Sequence, residues 1–212
     1  ADIQADWADP PSIYRSAPFW SWNSRLSPDR LCAAIESMHR AGMGGFFMHS
    51  RYGLKTPYLS EEWFRCVTAC VEKARELGMR AYLYDEDRWP SGSAGGIVTR
   101  KHPEFGLHQL CAAEAKDLPE PSERAVLFAA RCDAAGRVTS YEPLASAEAA
   151  PADAKVLAFD FPLAPTSGWY NDGAYLDTLS AEAVAEFLHV THQAYADRYG
   201  QDFGELIPAI FT

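Results

Sequence analysis

Between residues 18 and 87 short apolar runs alternate with two well-punctuated helices, and this alternation restricts the fold more than any other feature of the chain. "SPDRLCAAIESMHRAG" (27–42) has Ser27 at the cap position, Pro28 at the first helical position and Gly42 just past the end. Leu31, Ile35 and Met38 form its apolar stripe at helical spacing. "SEEWFRCVTACVEKARELG" (60–78) repeats the pattern, with Ser60 as cap, Glu61 and Glu62 at the positive helix terminus and Gly78 as terminator. Phe64, Val67, Val71 and Ala74 supply its buried face. The runs "PFWSWN" (18–23), "GGFFMHSR" (44–51) and "RAYLYDED" (80–87) are apolar throughout instead of alternating with polar residues. Strands of that kind are covered on both faces, and strand–helix–strand–helix–strand order makes them parallel.

The remaining sequence predicts further units. Residues 1–17, polar and containing Pro10-Pro11, read as an irregular lead-in. "RAVLFAARCD" (124–133), "GRVTSYEPL" (136–144) and "KVLAFDFPL" (155–163) predict a small antiparallel insertion over 106–165. "SAEAVAEFLHVTHQAYADRYG" (180–200) predicts a helix and "LIPAIFT" (206–212) a strand, so 166–212 reads as a fourth strand–helix unit that breaks off in mid-strand.

The net charge of -10, with no Lys/Arg cluster, argues against nucleic acid as partner. No run of 18 apolar residues occurs, which excludes a membrane-spanning helix and a membrane partner of that kind. Five cysteines without a CxxC pair predict no disulfide framework, and Cys66 and Cys70, four apart on a helix, read as small core residues. That usage leans towards the cytoplasm. A targeting segment would not be visible in a sequence that begins at Ala1, so an exported location stays open.

Each of the three strands turns polar at its C-terminal end: Trp22-Asn23, His49-Ser50-Arg51 and Asp85-Glu86-Asp87. In parallel α/β sheets and barrels the loops after the strands form the active face, so these groups are expected on one rim. Trp20, Trp22, Tyr52, Tyr58, Trp89, Trp169 and Tyr170 accompany them. Flat aromatic faces beside carboxylates and a guanidinium suit a sugar ring, whose hydroxyls take bidentate hydrogen bonds. "SGSAGG" (91–96) suggests a phosphate cradle, but it has neither the P-loop nor the dinucleotide-binding spacing. His189 and His192 read as two faces of one helix rather than a metal pair.

"PFWSWN", "AGMGGFFMHSRYGLKTPYLSEEWF" and "LGMRAYLYDEDRWPSGSAGG" resemble the N-terminal part of the catalytic barrel of alpha-L-rhamnosidase-like glycoside hydrolases, family 106 and its relatives. "SGWYNDGAYLDTLSAEAVAEFLHVTHQAYADRYG" and "IPAIFT" look like that family's later helix and strand. The resemblance spans about two thirds of the chain and implies an α/β fold, the first half of a (β/α)8 TIM barrel with the β-rich insertion. It further implies inverting hydrolysis of terminal alpha-L-rhamnosides, a carbohydrate partner, and calcium in the full-length protein. Carried over by position, Asn23, His49, Arg51, Asp85, Glu86 and Trp89 line the sugar pocket, with Tyr170, Asn171 and Asp177 added from the later segment. Glu86 and Asp85 are the candidate catalytic carboxylates; Trp22 and Asp87 complete the binding set; no metal ligand is assigned.

In relatives the strand matching "IPAIFT" continues into an acidic stretch carrying the general acid. The resemblance therefore puts the acid beyond Thr212, leaves Glu86 a binding residue, and implies that the chain alone is inactive and self-associates through open barrel edges. A carbohydrate-binding half-barrel without catalysis is the alternative. A Schiff-base lyase would need a Lys at a strand end, whereas Lys55 and Lys101 are expected in loops.

Overall fold

The computed structural model describes residues 3–117, 122 and 124–212. Residues 1–2 of the expected lead-in and 118–121 and 123 of the expected insertion lie outside the described residues. Two compact units divide the chain: Ala1–Phe105 with Thr166–Thr212, and Gly106–Pro165.

The first unit opens with a short helix, α1 (Ile3–Ala8), where an irregular lead-in was expected. "IQADWA" holds no Gly or Pro, and the turn persists until Pro10-Pro11 ends it. Then come β1 (Phe19–Trp22), α2 (Pro28–Arg40), β2 (Gly45–Ser50), α3 (Glu61–Leu77), β3 (Arg80–Tyr84) and a short α4 (Ile97–Lys101). Ser60 caps α3 by accepting from Trp63 N at 3.2 Å. Ser27 occupies the corresponding place ahead of α2 but makes no side-chain capping bond. Lys101, expected in a loop, closes α4 and pairs with Glu186 at 3.2 Å.

The second unit is an antiparallel sheet of β4 (Cys111–Glu114), β5 (Val126–Cys132), β6 (Val138–Leu144) and β7 (Lys155–Asp160), in the order β4-β7-β5-β6. β4, "CAAE", has little intrinsic strand preference; its pairing with β7 from Cys111↔Asp160 to Glu114↔Leu157 makes it a strand.

Back in the first unit, the expected single helix over 180–200 is three segments: α5 (Ala181–Leu188), a π-helical turn (His189–Gln193) and α6 (Ala194–Tyr199). The final strand, β8, keeps only Ile210–Phe211 of the expected 206–212, since Pro208 has no N–H for a ladder. The chain is thus a mixed α/β protein with a parallel four-stranded sheet, β1-β2-β3-β8, and a separate antiparallel sheet.

Strand alternation decides what the parallel sheet presents on each side. Trp22, Phe46, Met48, Ala81 and Leu83 pack with Leu31, Ile35, Trp63, Phe64 and Val67 of α2 and α3 in one core. Cys66 and Cys70 are buried there as free thiols. The opposite side is aromatic: Phe19 stacks on Phe47 at 4.6 Å, and Phe47 on Tyr82 at 4.4 Å. Among the described residues no helix is long and apolar enough to cross a membrane.

Candidate functional site

The same alternation separates groups that look contiguous in sequence. Leu83 points to the helices and Tyr84 to the aromatic side, where its ring lies flat on His49 at 4.1 Å and 8°. Phe19 meets His49 edge-on at 5.2 Å, and Phe211 lies 5.6 Å from Tyr84. His49 is 3% exposed and Tyr84 1%; among the described residues His49 Nδ1 has no hydrogen-bond partner, while the Tyr84 hydroxyl has the Ser91 side chain within reach. A buried polar atom left unmatched costs about 1–3 kcal/mol, so the His49 ring nitrogen is the atom here that gains most from a hydrogen-bonding ligand.

Charge is suppressed at the pair. Burial, and then the Arg51 guanidinium, lower the His49 pKa, while burial pushes the Tyr84 phenol well up. Both side chains stay neutral across the physiological range, which suits hydroxyl groups better than an ionic ligand. Arg51 is exposed just past β2 and makes no ion pair among the described residues. Because the unfolded chain protonates His49 before the folded one, stability should fall as pH drops through the histidine range. His49→Phe keeps the stack on Tyr84 and should flatten that part of a denaturation-midpoint profile; an unchanged slope would show that His49 is not its source.

The acidic triplet behaves differently. Glu86 is 0% exposed, and its carboxylate accepts from five backbone amides. Oε2 takes Gly92 N at 3.0 Å, Ser93 N at 2.7 Å and Ala94 N at 2.8 Å. Oε1 takes Asp87 N at 2.8 Å and Gly95 N. The glycine-rich loop is therefore an anion cradle, and the chain's own carboxylate fills it. Burial pushes the Glu86 carboxyl up, to about 7, against the amides of Gly95, Asp87, Ser93 and Ala94, which favour the anion. Every contact is an N–H donor, so the anion is the form around which the loop closes. In this structure Glu86, a candidate acid by resemblance, anchors the loop: both of its oxygens accept from loop amides.

Asp87, 5% exposed, accepts from Asn171 Nδ2 at 2.8 Å and lies 3.7 Å from Arg88 Nε. Asn171, in the left-handed conformation at φ 51°, also donates to Gly95 O at 3.1 Å and accepts from Arg88 Nη2 at 2.8 Å. Arg88 is the counter-charge to Asp87. Its Nη1 holds the carbonyls of Gly168 and Trp169 at 2.8 and 3.0 Å, and its guanidinium lies 5.1 Å from the Tyr52 ring. Tyr52 and Trp169 are near-parallel, 6.1 Å apart, and Trp169 Nε1 donates to Trp89 O at 2.9 Å. Tyr52, Trp89 and Trp169 thus form an exposed but pinned aromatic rim.

Asp85 turns to the helix side, where Oδ1 accepts from Ser91 Oγ at 2.6 Å and Oδ2 lies 3.5 Å from His192 Nε2. Asp85, the other candidate catalytic carboxylate, is 0% exposed. Trp22, expected in the binding set, is 2% exposed and packs on Trp63 at 5.1 Å, inside the core. Asn23 is exposed beyond β1, and Tyr170 is half-buried against Tyr175 at 5.7 Å. Asp177 shapes the turn ahead of α5, accepting from Leu179 N at 3.0 Å. Tyr84, Arg88 and His192 are the participants the sequence reading missed. Alternation along β3 sets Tyr84 on the face of Tyr82, but only the register Phe47↔Tyr82 brings it to His49.

No three His, Cys, Asp or Glu side chains gather as a metal site among the described residues. A groove of about 650 Å³ runs between β8 and the last helices, lined by Leu83, Leu188, His192, Tyr195 and Ile210. Its walls belong to the helix side of the sheet, away from the His49–Tyr84 pair.

No protein-family model matches the sequence, and no curated protein matches it. A solved rhamnosidase from Novosphingobium sp. PP1Y is similar over 66% of this chain and 17% of its own, at 20% identity and a TM-score of 0.45. This chain thus spans less than a fifth of that protein's length.

Proposed function

We propose that the chain is part of a (β/α)8-type glycoside hydrolase barrel and carries the sugar-binding side of a site for terminal alpha-L-rhamnosides or related glycosides. The observation that carries this reading is the stacked His49–Tyr84 pair, with an unmatched ring nitrogen and both side chains held neutral beside Arg51. Neutral donors and acceptors match sugar hydroxyls, and the aromatic rim of Tyr52, Trp89 and Trp169 offers flat faces to sugar C–H groups. The sequence motifs at the strand ends and the parallel strand order support the barrel reading.

Inverting hydrolysis needs a protonated carboxyl at the leaving oxygen and a carboxylate holding a water, about 6.5–9.5 Å apart. Glu86 is taken up by amides, Asp87 by Asn171 and Asp85 by Ser91. The acid and base are therefore placed outside this triplet, and the chain alone is expected to bind without hydrolysing. The same commitments leave the triplet unfit for calcium, which needs six to eight oxygen ligands. They also favour the second reading, a carbohydrate-binding half-barrel without catalysis.

Calorimetric titration with methyl alpha-L-rhamnoside, alongside release of 4-nitrophenolate from its aryl analogue, tests both readings. Saturable binding is expected, weakened about tenfold in Arg51→Ala by loss of roughly 1.4 kcal/mol of charge-assisted hydrogen bonding, with no release. Release by the chain would contradict the placement of the acid and base, and absence of binding would contradict the sugar site.

A further inference from the structure

The π-helical turn at His189–Gln193 is a local widening of the kind that re-aims side chains at functional positions. It brings His192 to Asp85, just past the end of β3. Thr191 has one hydroxyl proton, which it donates to the Phe187 carbonyl at 2.7 Å. Its oxygen also lies 3.0 Å from His192 Nδ1. With its own proton committed, that oxygen can only accept, so Nδ1 carries a proton. A neutral ring then presents a bare lone pair at Nε2, and Nε2 faces Asp85 Oδ2 at 3.5 Å. Oδ2 is buried. A lone pair facing a carboxylate oxygen is repulsive unless a proton lies between them.

We infer that Asp85 and His192 hold one proton between them in the folded protein, and that this shared proton latches the π-helical turn to the end of β3. Whichever partner formally carries it, the pair binds one proton more than a free carboxylate and a neutral imidazole would. The groups facing Asp85 from its surroundings are Tyr58, Tyr84, Tyr175 and Tyr195, phenols that burial keeps neutral. Hydrogen bonds from the Ser91 and Thr212 side chains, and the His192 charge, lower the Asp85 pKa. The Phe187 ring covers His192 at 5.9 Å. Burial, the largest influence on Asp85, raises its pKa and favours the protonated pair. A proton held more readily by the folded than the unfolded chain stabilises at lower pH, and the contribution disappears as pH rises. The latch does not depend on the sugar reading.

Nitrogen-15 spectra of the histidine rings, with His192 assigned by comparison with His192→Gln, should show Nδ1 protonated at every pH where the chain is folded. Asp85→Asn supplies its own N–H to Nε2, with Oδ1 still accepting from Ser91. Its stability should therefore vary less with pH on the alkaline side and equal or exceed that of the wild type there. A ring with a bare Nδ1 and a protonated Nε2 would overturn the inference, because His192 would then simply donate to ionised Asp85. A uniform loss of stability in Asp85→Asn with an unchanged pH slope would also overturn it. If that variant does not fold, the wild-type spectra decide alone.

Discussion

Glu86→Gln is expected to destabilise the chain by about 3 kcal/mol, although it changes one atom of a residue that touches no solvent. The amide oxygen of Gln can replace Oε2 and keep the bonds from Gly92, Ser93 and Ala94. Its NH2 group must then face the N–H groups of Asp87 and Gly95, leaving two buried donors without an acceptor. Glu86→Ala removes all five acceptor contacts and should prevent the 85–96 loop from closing at all. Burial of the charge works in the opposite direction, since it raises the carboxyl pKa. A denaturation midpoint for Glu86→Gln equal to or above that of the wild type would show that desolvation outweighs the amide cradle.

A comparable loss, about 4 kcal/mol, is expected for Gly96→Ala, the sum of left-handed strain and overpacking in a site that cannot relax cheaply. Gly96 has φ 76°, and an added Cβ would sit 1.9 Å from the Tyr170 carbonyl oxygen. The obstacle is backbone, so the 96–101 and 168–173 segments would have to separate. That would also strain the bonds of Asn171 to Asp87 and Gly95. Reduced sugar binding in Gly96→Ala together with an unchanged midpoint would contradict this reading and make Gly96 a ligand contact instead.

How far the fold and site could be read from sequence follows from how local each determinant is. α2, α3 and their flanking strands carry caps, terminators and periodicity within twenty residues, and they form where those signals stand. β4 has no such signal, because long-range pairing with β7 creates it. Within the site, the positions of His49 near the end of β2 and of Arg51 and Trp89 beyond their strands were legible. The commitments of Asp85, Glu86 and Asp87 were not, since they depend on a loop folding back on itself and on Asn171, 84 residues away. Both sides of the parallel sheet are apolar, so hydrophobic pattern alone could not say that Tyr84 joins His49 while Asp85 turns to the helices. The π-helical turn that aims His192 has no sequence signature at all.

Chemical-shift mapping of the 212-residue chain during titration with L-rhamnose tests the central claim, a neutral sugar site at the strand ends, most directly. Saturable shifts at His49, Arg51 and Tyr84, with the Glu86 loop amides changing little, are the predicted result. A titration that leaves His49 and Tyr84 unperturbed, or that moves only residues of the Gly106–Pro165 unit, would contradict it.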